Sequence, residues 1–302
     1  MIDGMALVQK LKVSDQMTFG QIADAALSRV LQEGGNSKRI DVVFDVHNEI
    51  SIKSALRERR EEGESVTYKN LTAGQKIKQF RNFLRNGQNK NSLITFFNDY
   101  WRKPTSREKL ANKELYTTCG TKCYKLTADT VQEVIELSSG QEEADTRLLL
   151  HVKHAATPHV KAVIISSEDT DVRLLCISFA HVIPVPIYQR CVSQHQPRYV
   201  DNSKIAGVLG KEVSKALRGL HAFTGCDSVS AFAGIGKARP LKLLRSKDEF
   251  QVMFQNLGEK WSITEELCVQ LESFVCACYV RDDERQSGCQ SEPVCGVLLQ
   301  KR

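Results

Sequence analysis

The chain has 302 residues, 42 of them basic and 36 acidic, and its formal net charge is +6. With 41% apolar residues, a chain of this length can bury a large core, which excludes a disordered, collagenous or fibrous protein. The longest stretch without a charged residue covers residues 174–189. It is too short for a membrane-spanning helix, which needs roughly 18 apolar residues.

The N-terminal residues and the cysteines indicate the compartment. The start of the chain has an acid at position 3 and lacks the apolar segment of a signal peptide. We therefore expect an intracellular protein, nuclear or cytoplasmic, that is neither secreted nor bound to a membrane. In that reducing compartment the ten cysteines are expected to be thiols or metal ligands.

Predicted strands and helices alternate along the chain. A β-branched run over residues 39–44 predicts a buried strand that ends on Asp45. A charged helix is predicted over 51–62, an amphipathic helix over 71–86, and an irregular insert or cap over 86–125. The remaining predicted elements are a helix over 142–156, strands over 162–166 and 181–188, and helices over 211–223, 240–244 and 265–280. This alternation predicts an α/β protein with a parallel sheet.

Positive charge is concentrated in the basic segment, which we define as residues Lys69–Lys125. It holds thirteen basic and three acidic residues, a local charge of +10. Six aromatic residues lie among these bases, namely Phe80, Phe83, Phe96, Phe97, Tyr100 and Trp101. A solvated helical face is the commoner explanation of a charge run, but bases interleaved with aromatic residues favour an anion-binding surface.

Acidic residues follow predicted strands or open predicted helices at several points. They are Asp3, Asp45, Glu143, Asp145, Asp169, Asp171 and Asp227. Ligands of an open parallel sheet bind beyond the carboxyl ends of its strands, and carboxylates gathered there would repel one another unless a cation lay between them. Oxygen ligands suit Mg²⁺ or Mn²⁺. Each acid alone is better explained as a helix cap or a turn residue, so the predicted metal site depends on the joint pattern.

A glycine turn follows in the stretch FAGIGKARPLKLL. Gly234, Ile235 and Gly236 precede Lys237 and Arg239 and an apolar helical run. Backbone N–H groups in such a turn can approach a phosphate closely, with the basic side chains supplying charge. A Gly-x-Gly turn is also common in ordinary loops, so both interpretations stay open.

Taken in order, the stretches VFD, EEAD, SEDTD, TGCD and GIGKAR resemble the motifs of the flap endonuclease family of structure-specific 5′ nucleases, within the PIN-like superfamily. The resemblance covers roughly residues 3–45 and 142–244. It implies a PIN-like, three-layer α/β fold with a central, mostly parallel sheet, a helical insert and a C-terminal helical hairpin of the helix-hairpin-helix type.

The resemblance also implies how the chain is divided. The expected parts are a first core segment over 1–68, a basic helical insert over 69–125, a second core segment over 126–230, the hairpin and C-terminal helices over 231–280, and a flexible tail over 281–302.

Site residues implied by the resemblance form two metal sites and two nucleic-acid contacts. The first ion would be held by Asp3, Asp45, Glu143 and Asp145, and the second by Asp145, Asp169, Asp171 and Asp227. Lys53 and Arg60 resemble the family's catalytic basic pair, which steers the scissile phosphate. The hairpin that holds the duplex backbone, often through a bound monovalent cation, corresponds to Gly234, Ile235, Gly236, Lys237 and Arg239.

The expected function is therefore metal-dependent hydrolysis of phosphodiester bonds in DNA, or in RNA, by two Mg²⁺ or Mn²⁺ ions. The expected substrates contain junctions between single strand and duplex. The alternative is a catalytically inactive PIN-like module that binds nucleic acid or protein. The sequence gives no prediction of the oligomeric state.

Overall fold

Eight strands of one sheet organise the first part of the computed structural model, which describes residues 1–46, 66–193, 196–227 and 229–280. The strands are β1 Ile2–Asp3, β2 Arg39–Val43, β3 Glu114–Cys119, β4 Lys122–Leu126, β5 Val131–Glu133, β6 Val163–Ser166, β7 Ile187–Ser193 and β8 Gln196–Asp201. Their order is β5-β4-β3-β2-β1-β6-β7-β8. The five central strands are parallel, and β4, β5 and β8 pair antiparallel. The fold is α/β with a mostly parallel sheet.

The helices of the described residues lie between and after these strands. They are α1 Gly4–Gln9, α2 Phe19–Gly34, α3 Phe80–Phe83, α4 Gly87–Trp101, α5 Pro104–Arg107, α6 Ala144–Ala155, α7 Thr170–Phe179, α8 Asn202–Leu209, α9 Lys211–Phe223, α10 Ala238–Ser246, α11 Asp248–Asn256 and α12 Glu265–Tyr279. Short 3₁₀ turns cover Glu108–Leu110 and Ile135–Leu137. Within the described ranges, no helix is long and apolar enough to cross a membrane.

The chain divides into two compact units. The first comprises Met1–Cys176 and Val182–Ser203, and the second comprises Ile177–His181 and the described residues from Lys204 onward. The predicted strands at 39–44 and 162–166 and the predicted helices at 142–156, 211–223 and 265–280 are confirmed, with small shifts at their ends. The predicted tail over 281–302 and the predicted charged helix over 51–62 lie outside the described residues.

Two predicted elements are wrong in position. The strand expected at 181–188 begins only at Ile187, because Pro184 and Pro186 have no N–H to donate to a neighbouring strand. The amphipathic helix expected over 71–86 is reduced to α3, which Gln79 precedes in a left-handed conformation with φ 57°. A non-glycine residue in that conformation interrupts a right-handed helix.

The basic segment is part of the sheet and its core, although the sequence predicts an insert or cap there. It supplies β3 and β4, joined by a two-residue turn in which Gly120 has φ 53°, as the first position of such a hairpin turn requires. Its aromatic residues are mostly buried, and Phe80, Phe83, Phe97 and Trp101 belong to the main apolar core. Their spacing among the bases therefore reflects packing, and only Phe96 and Tyr100 of the six are half-buried.

An aromatic core stabilises the second unit. The Phe274 ring lies 4.7 Å from the Phe254 ring and 5.1 Å from the Phe250 ring, centroid to centroid, in edge-to-face contacts. Such pairs stabilise beyond the area that they bury. Gly219 in α9 allows α11 to approach, because a Cβ on this glycine would lie 2.2 Å from the Phe254 carbonyl oxygen.

We expect Gly219→Ala to lower the free energy of unfolding by about 2 kcal/mol, because the added methyl group forces α9 and α11 apart. Gly207→Ala is the matched control, since Gly207 also lies in a helix but a Cβ there meets nothing within 4 Å. The control should leave stability unchanged or raise it by up to about 1 kcal/mol. Urea unfolding of the full chain measures both, and equal effects would contradict the close contact.

Candidate functional site

Three strands bring acidic residues to one edge of the sheet. In the parallel register Asp3 of β1 is paired with Val43 of β2, and Ile2 is paired with Ser166 of β6. The three strands therefore end at nearly the same level. β2 follows β1 in the chain and lies on one side of it, whereas β6 pairs with β1 on the other side. The boundary between β1 and β6 is therefore a topological switch point, where open α/β sheets bind ligands.

The acids that follow these strands also bond to backbone N–H groups. The Oδ1 atom of Asp3 accepts a hydrogen bond from the N–H of Ala6 at 3.0 Å and caps α1. Asp169 Oδ1 accepts from the N–H of Asp171 at 2.8 Å, at the start of α7. The helix-capping explanation of single acids thus holds at these positions. It does not explain why they lie together.

The beginning of α6 adds two more acids to the same edge. Asp45 Oδ1 accepts a hydrogen bond from the N–H of Ala144 at 2.8 Å, so a residue two positions after β2 caps a helix that begins 99 residues later in the chain. Glu143 occupies the N-cap position of α6, and Asp145 lies in its first turn. The positive end of the helix dipole stabilises acids at these positions.

The carboxylates are close enough to perturb one another. Burial, followed by the charges of Asp169, Asp3, Asp45 and Glu143, raises the pKa of Asp145 to about 7. Burial and the charges of Asp45 and Asp169 also raise the pKa of Asp3, although its backbone hydrogen bonds act in the opposite direction. We call the five residues Asp3, Asp45, Glu143, Asp145 and Asp169 the carboxylate cluster.

Other residues of the expected metal sites have different positions. Asp171 lies in the first turn of α7, two residues after Asp169. Asp227 is exposed and belongs to the second unit, in the turn that the paired backbones of Cys226 and Val229 close. Lys53 and Arg60 lie outside the described residues. Among the residues that the structure does describe, no three His, Cys, Asp or Glu side chains already converge on a point where one ion could bind.

Two buried side chains fix α6 against the sheet and so position Glu143 and Asp145. His151 Nδ1 lies 2.7 Å from Asp41 Oδ2 of β2, and Arg39 donates two further hydrogen bonds of 2.8 Å to the same carboxylate. Burial alone would raise the pKa of Asp41, but the hydrogen bonds from His151 and Arg39 outweigh it and lower that pKa. Arg147, which is 1% exposed, donates to the Gly120 and Lys122 carbonyl oxygens at 2.6 and 2.8 Å.

Asp41 is not among the site residues predicted from the sequence. Its signal was a charged pair, Arg39 and Asp41, two residues apart and therefore on the same face of an otherwise apolar strand. An acid within a buried strand needs a hydrogen-bonded partner, and His151 and Arg39 supply it.

The predicted phosphate-binding turn of the second unit has its basic side chains engaged internally. Lys237 Nζ donates to the His221 carbonyl at 3.0 Å, to Thr224 Oγ1 at 2.9 Å, and to the Gly225 carbonyl. These oxygens lie at the C-terminal end of α9, where a positive charge is favourable. Arg239 donates to the Val280 carbonyl.

The glycines of the turn differ in what they require. Gly234 has φ 71°, a conformation that favours glycine, whereas Gly236 does not have a positive φ. Ile235 donates its N–H to the Phe232 carbonyl at 3.2 Å, which closes the turn.

Comparison of the chain with protein-family models, with curated proteins and with solved structures found no match.

We expect Asp145→Asn to stabilise the protein at pH 8, by about 1 kcal/mol after allowance for solvent screening. The pKa of this carboxyl is about 7 in the folded chain against an ordinary value of 3.8. Wild-type stability therefore falls as the pH rises from about 4 to about 7, and the neutral amide avoids that loss. Asp129→Asn, at an exposed turn, is the control. Thermal unfolding at pH 4 and pH 8 measures the difference, and an equal effect of Asp145→Asn at both pH values would contradict the account.

We expect Lys237→Ala to lower the free energy of unfolding by about 1–3 kcal/mol, because the substitution leaves the oxygen atoms around Nζ without their charged donor. Lys260→Ala, at an exposed loop position, should change stability by less than about 0.5 kcal/mol. Urea unfolding checks both variants. If the Lys237→Ala variant were as stable as wild type, the engagement of Lys237 at the end of α9 would be refuted.

Proposed function

We propose that the chain is a PIN-like, metal-dependent nuclease that hydrolyses phosphodiester bonds of DNA or RNA with two Mg²⁺ or Mn²⁺ ions. The observation that carries the proposal is the carboxylate cluster at the switch point of a parallel sheet. Burial, together with the charges of the other members, raises the pKa of Asp145 to about 7. Like charges are held so close chiefly where a cation binds between them. The proposal keeps the nuclear or cytoplasmic location and the nucleic-acid partner expected from the sequence.

The cluster fits divalent ions by its chemistry. Carboxylate oxygens are the ligands that Mg²⁺ and Mn²⁺ prefer, and the cluster contains no thiol or imidazole that would favour zinc. Asp3, Asp45 and Glu143 would hold one ion and Asp169 the other, with Asp145 between them. Such ions, when bound, supply Lewis-acid stabilisation of the attacking and leaving oxygens of a phosphodiester.

The protein's own groups orient this cluster. The Ala144 N–H holds Asp45, and the Asp171 N–H holds Asp169, so these carboxylates are kept at the strand ends. The contact between His151 and Asp41 keeps α6 in place. Without the ions the Asp145 carboxyl is partly protonated near neutral pH, since its pKa is then about 7, and it would lose that proton on binding them.

A catalytically inactive interaction module is the second candidate. One observation favours it, because no three metal-ligating side chains of the described residues converge on one point. A nuclease of this kind needs its carboxylates to turn toward the ions as they bind. An inactive module needs no such movement.

Asp169→Asn should lower the rate of Mn²⁺-dependent cleavage of a labelled nucleic acid by at least about a hundredfold. The substitution removes a charged ligand of an ion that stabilises the transition state by several kcal/mol. Nucleic-acid binding in EDTA should be unchanged, since affinity for phosphates comes mainly from Lys and Arg. Asp129→Asn serves as the surface control. The assay uses flap, duplex and single-stranded substrates with Mg²⁺, Mn²⁺ or EDTA.

The same assay separates the two candidates. An inactive module would bind the substrates and leave them intact with every metal. Cleavage that persists in the Asp169→Asn variant at the wild-type rate would contradict the assignment of the cluster. Asp171→Asn should also abolish cleavage if that residue completes the second ion site, and full activity would remove it from the site.

A further inference from the structure

A groove of about 510 Å³ runs beside α4, on the first unit. One wall is the segment Lys69–Ala73, and the other is the face of α4 from Asn91 to Tyr100, with Lys103 just beyond the end of the helix. At a rise of 1.5 Å per residue, the distance along the helix from Asn91 to Tyr100 is about 14 Å. The groove shares no residue with the carboxylate cluster.

Two lysines line the groove. Lys69 and Lys103 are exposed, and neither forms an ion pair with any residue in the described ranges. Other bases of the basic segment are engaged, for example Lys109 with Asp24 at 2.6 Å and Lys125 with Glu114 at 2.9 Å. Part of the charge of the basic segment is thus paired within the fold, whereas Lys69 and Lys103 are exposed at the groove.

One acid also lines the groove. Asp99 has a side chain that is 65% exposed, and Arg102 lies 3.4 Å from it, which offsets its charge. The net charge offered to a ligand along this face of α4 is therefore positive.

Of the six aromatic residues named among the bases of the basic segment, the two that are only half-buried line the same groove. Phe96 and Tyr100 are half-buried, and their ring centroids are 5.6 Å apart. Lys103 Nζ lies 5.0 Å from the centroid of the Tyr100 ring. Proteins that bind single-stranded nucleic acid combine aromatic rings with positive charges, because a base stacks on the ring and a phosphate is attracted to the charge.

We propose that this groove binds a single-stranded segment of nucleic acid, with phosphates at Lys69 and Lys103 and a base on the Tyr100 ring. Polar side chains such as Thr95 add hydrogen-bond partners for sugars and phosphates. Its length suits a few nucleotides, since stacked bases rise by about 3.4 Å each. The inference deepens the proposed nuclease function by naming the form of its substrate, but the binding itself needs no metal. An acidic peptide would satisfy the lysines and leave the aromatic ring without a stacking partner.

The test is fluorescence anisotropy of a labelled oligothymidylate with the full chain in EDTA. We expect the Lys69→Ala/Lys103→Ala double variant to bind about tenfold or more weakly, with the log–log salt slope lowered by about 1.4, because each phosphate contact on a single strand contributes about 0.7. Lys153→Ala/Lys161→Ala is the matched control, since it removes the same charge from exposed positions away from the groove. Its affinity should stay within about twofold of wild type.

Tyr100 gives the second measurement. Tyr100→Leu should weaken binding about tenfold because it removes the stacking surface, whereas Tyr100→Phe keeps the ring and should bind like wild type. Thermal unfolding confirms that each variant is folded. If Tyr100→Phe bound as weakly as Tyr100→Leu, stacking would be overturned. The tyrosine and phenylalanine rings differ only in the hydroxyl group, which in Tyr100 donates to Asp24 at 3.3 Å.

Three outcomes would overturn the groove as the binding site. The first is an equal loss of affinity in the two double lysine variants, and the second is displacement of the oligonucleotide by polyglutamate at the same charge concentration. The third is that a blunt duplex binds as tightly as the oligonucleotide and Tyr100→Leu does not weaken binding. These outcomes are independent of the nuclease proposal, which fails separately if wild-type protein binds the oligonucleotide but cleaves none of the flap, duplex and single-stranded substrates with Mg²⁺ or Mn²⁺.

Discussion

Repulsion among carboxylates at the edge of the parallel sheet is the constraint that the rest of the first unit has to balance. The two-residue strand β1 places Asp3 between the ends of β2 and β6, and the start of α6 brings Asp145 to the same edge. Burial and the neighbouring carboxylates together raise the pKa of Asp145 to about 7, which shows that its ionised form is destabilised at this edge. Destabilised ionised groups of this kind occur mainly at functional sites, where a bound ligand stabilises them.

Backbone donors and buried contacts maintain the arrangement in spite of the repulsion. Asp45 bonds to the first N–H of α6, so the end of β2 and the helix are fixed to each other. About two turns further along that helix, His151 contacts Asp41 of β2. A charged pair inside the core is weak evidence for stability. Here its geometric effect is to set the rotation and height of α6, and with them the position of Asp145.

Local patterns predicted the strand ends well, because an apolar run followed by an acid, as at Asp45, needs no distant contact to be recognised. The internal use of Lys237 could not be predicted, because its partners are oxygens at the end of another helix. The burial of Trp101 could not be predicted either, because an aromatic residue among bases fits a binding surface and a core equally well. The structure shows that Trp101 is buried in the core. The turn at Gly120 carried a hairpin signal, but the charged residues around it obscured the strands β3 and β4.

The most direct test of the carboxylate cluster is calorimetric titration of the full chain with Mn²⁺ at pH 7, in two buffers of different ionisation enthalpy, which counts the protons released on binding. The account predicts that wild-type protein binds Mn²⁺ and releases about half a proton, because Asp145 has a pKa of about 7 without the ion and must be ionised to bind it. The Asp145→Asn variant should bind more weakly and without that release. Absence of Mn²⁺ binding, or binding to both proteins with the same affinity and no proton release, would contradict the account.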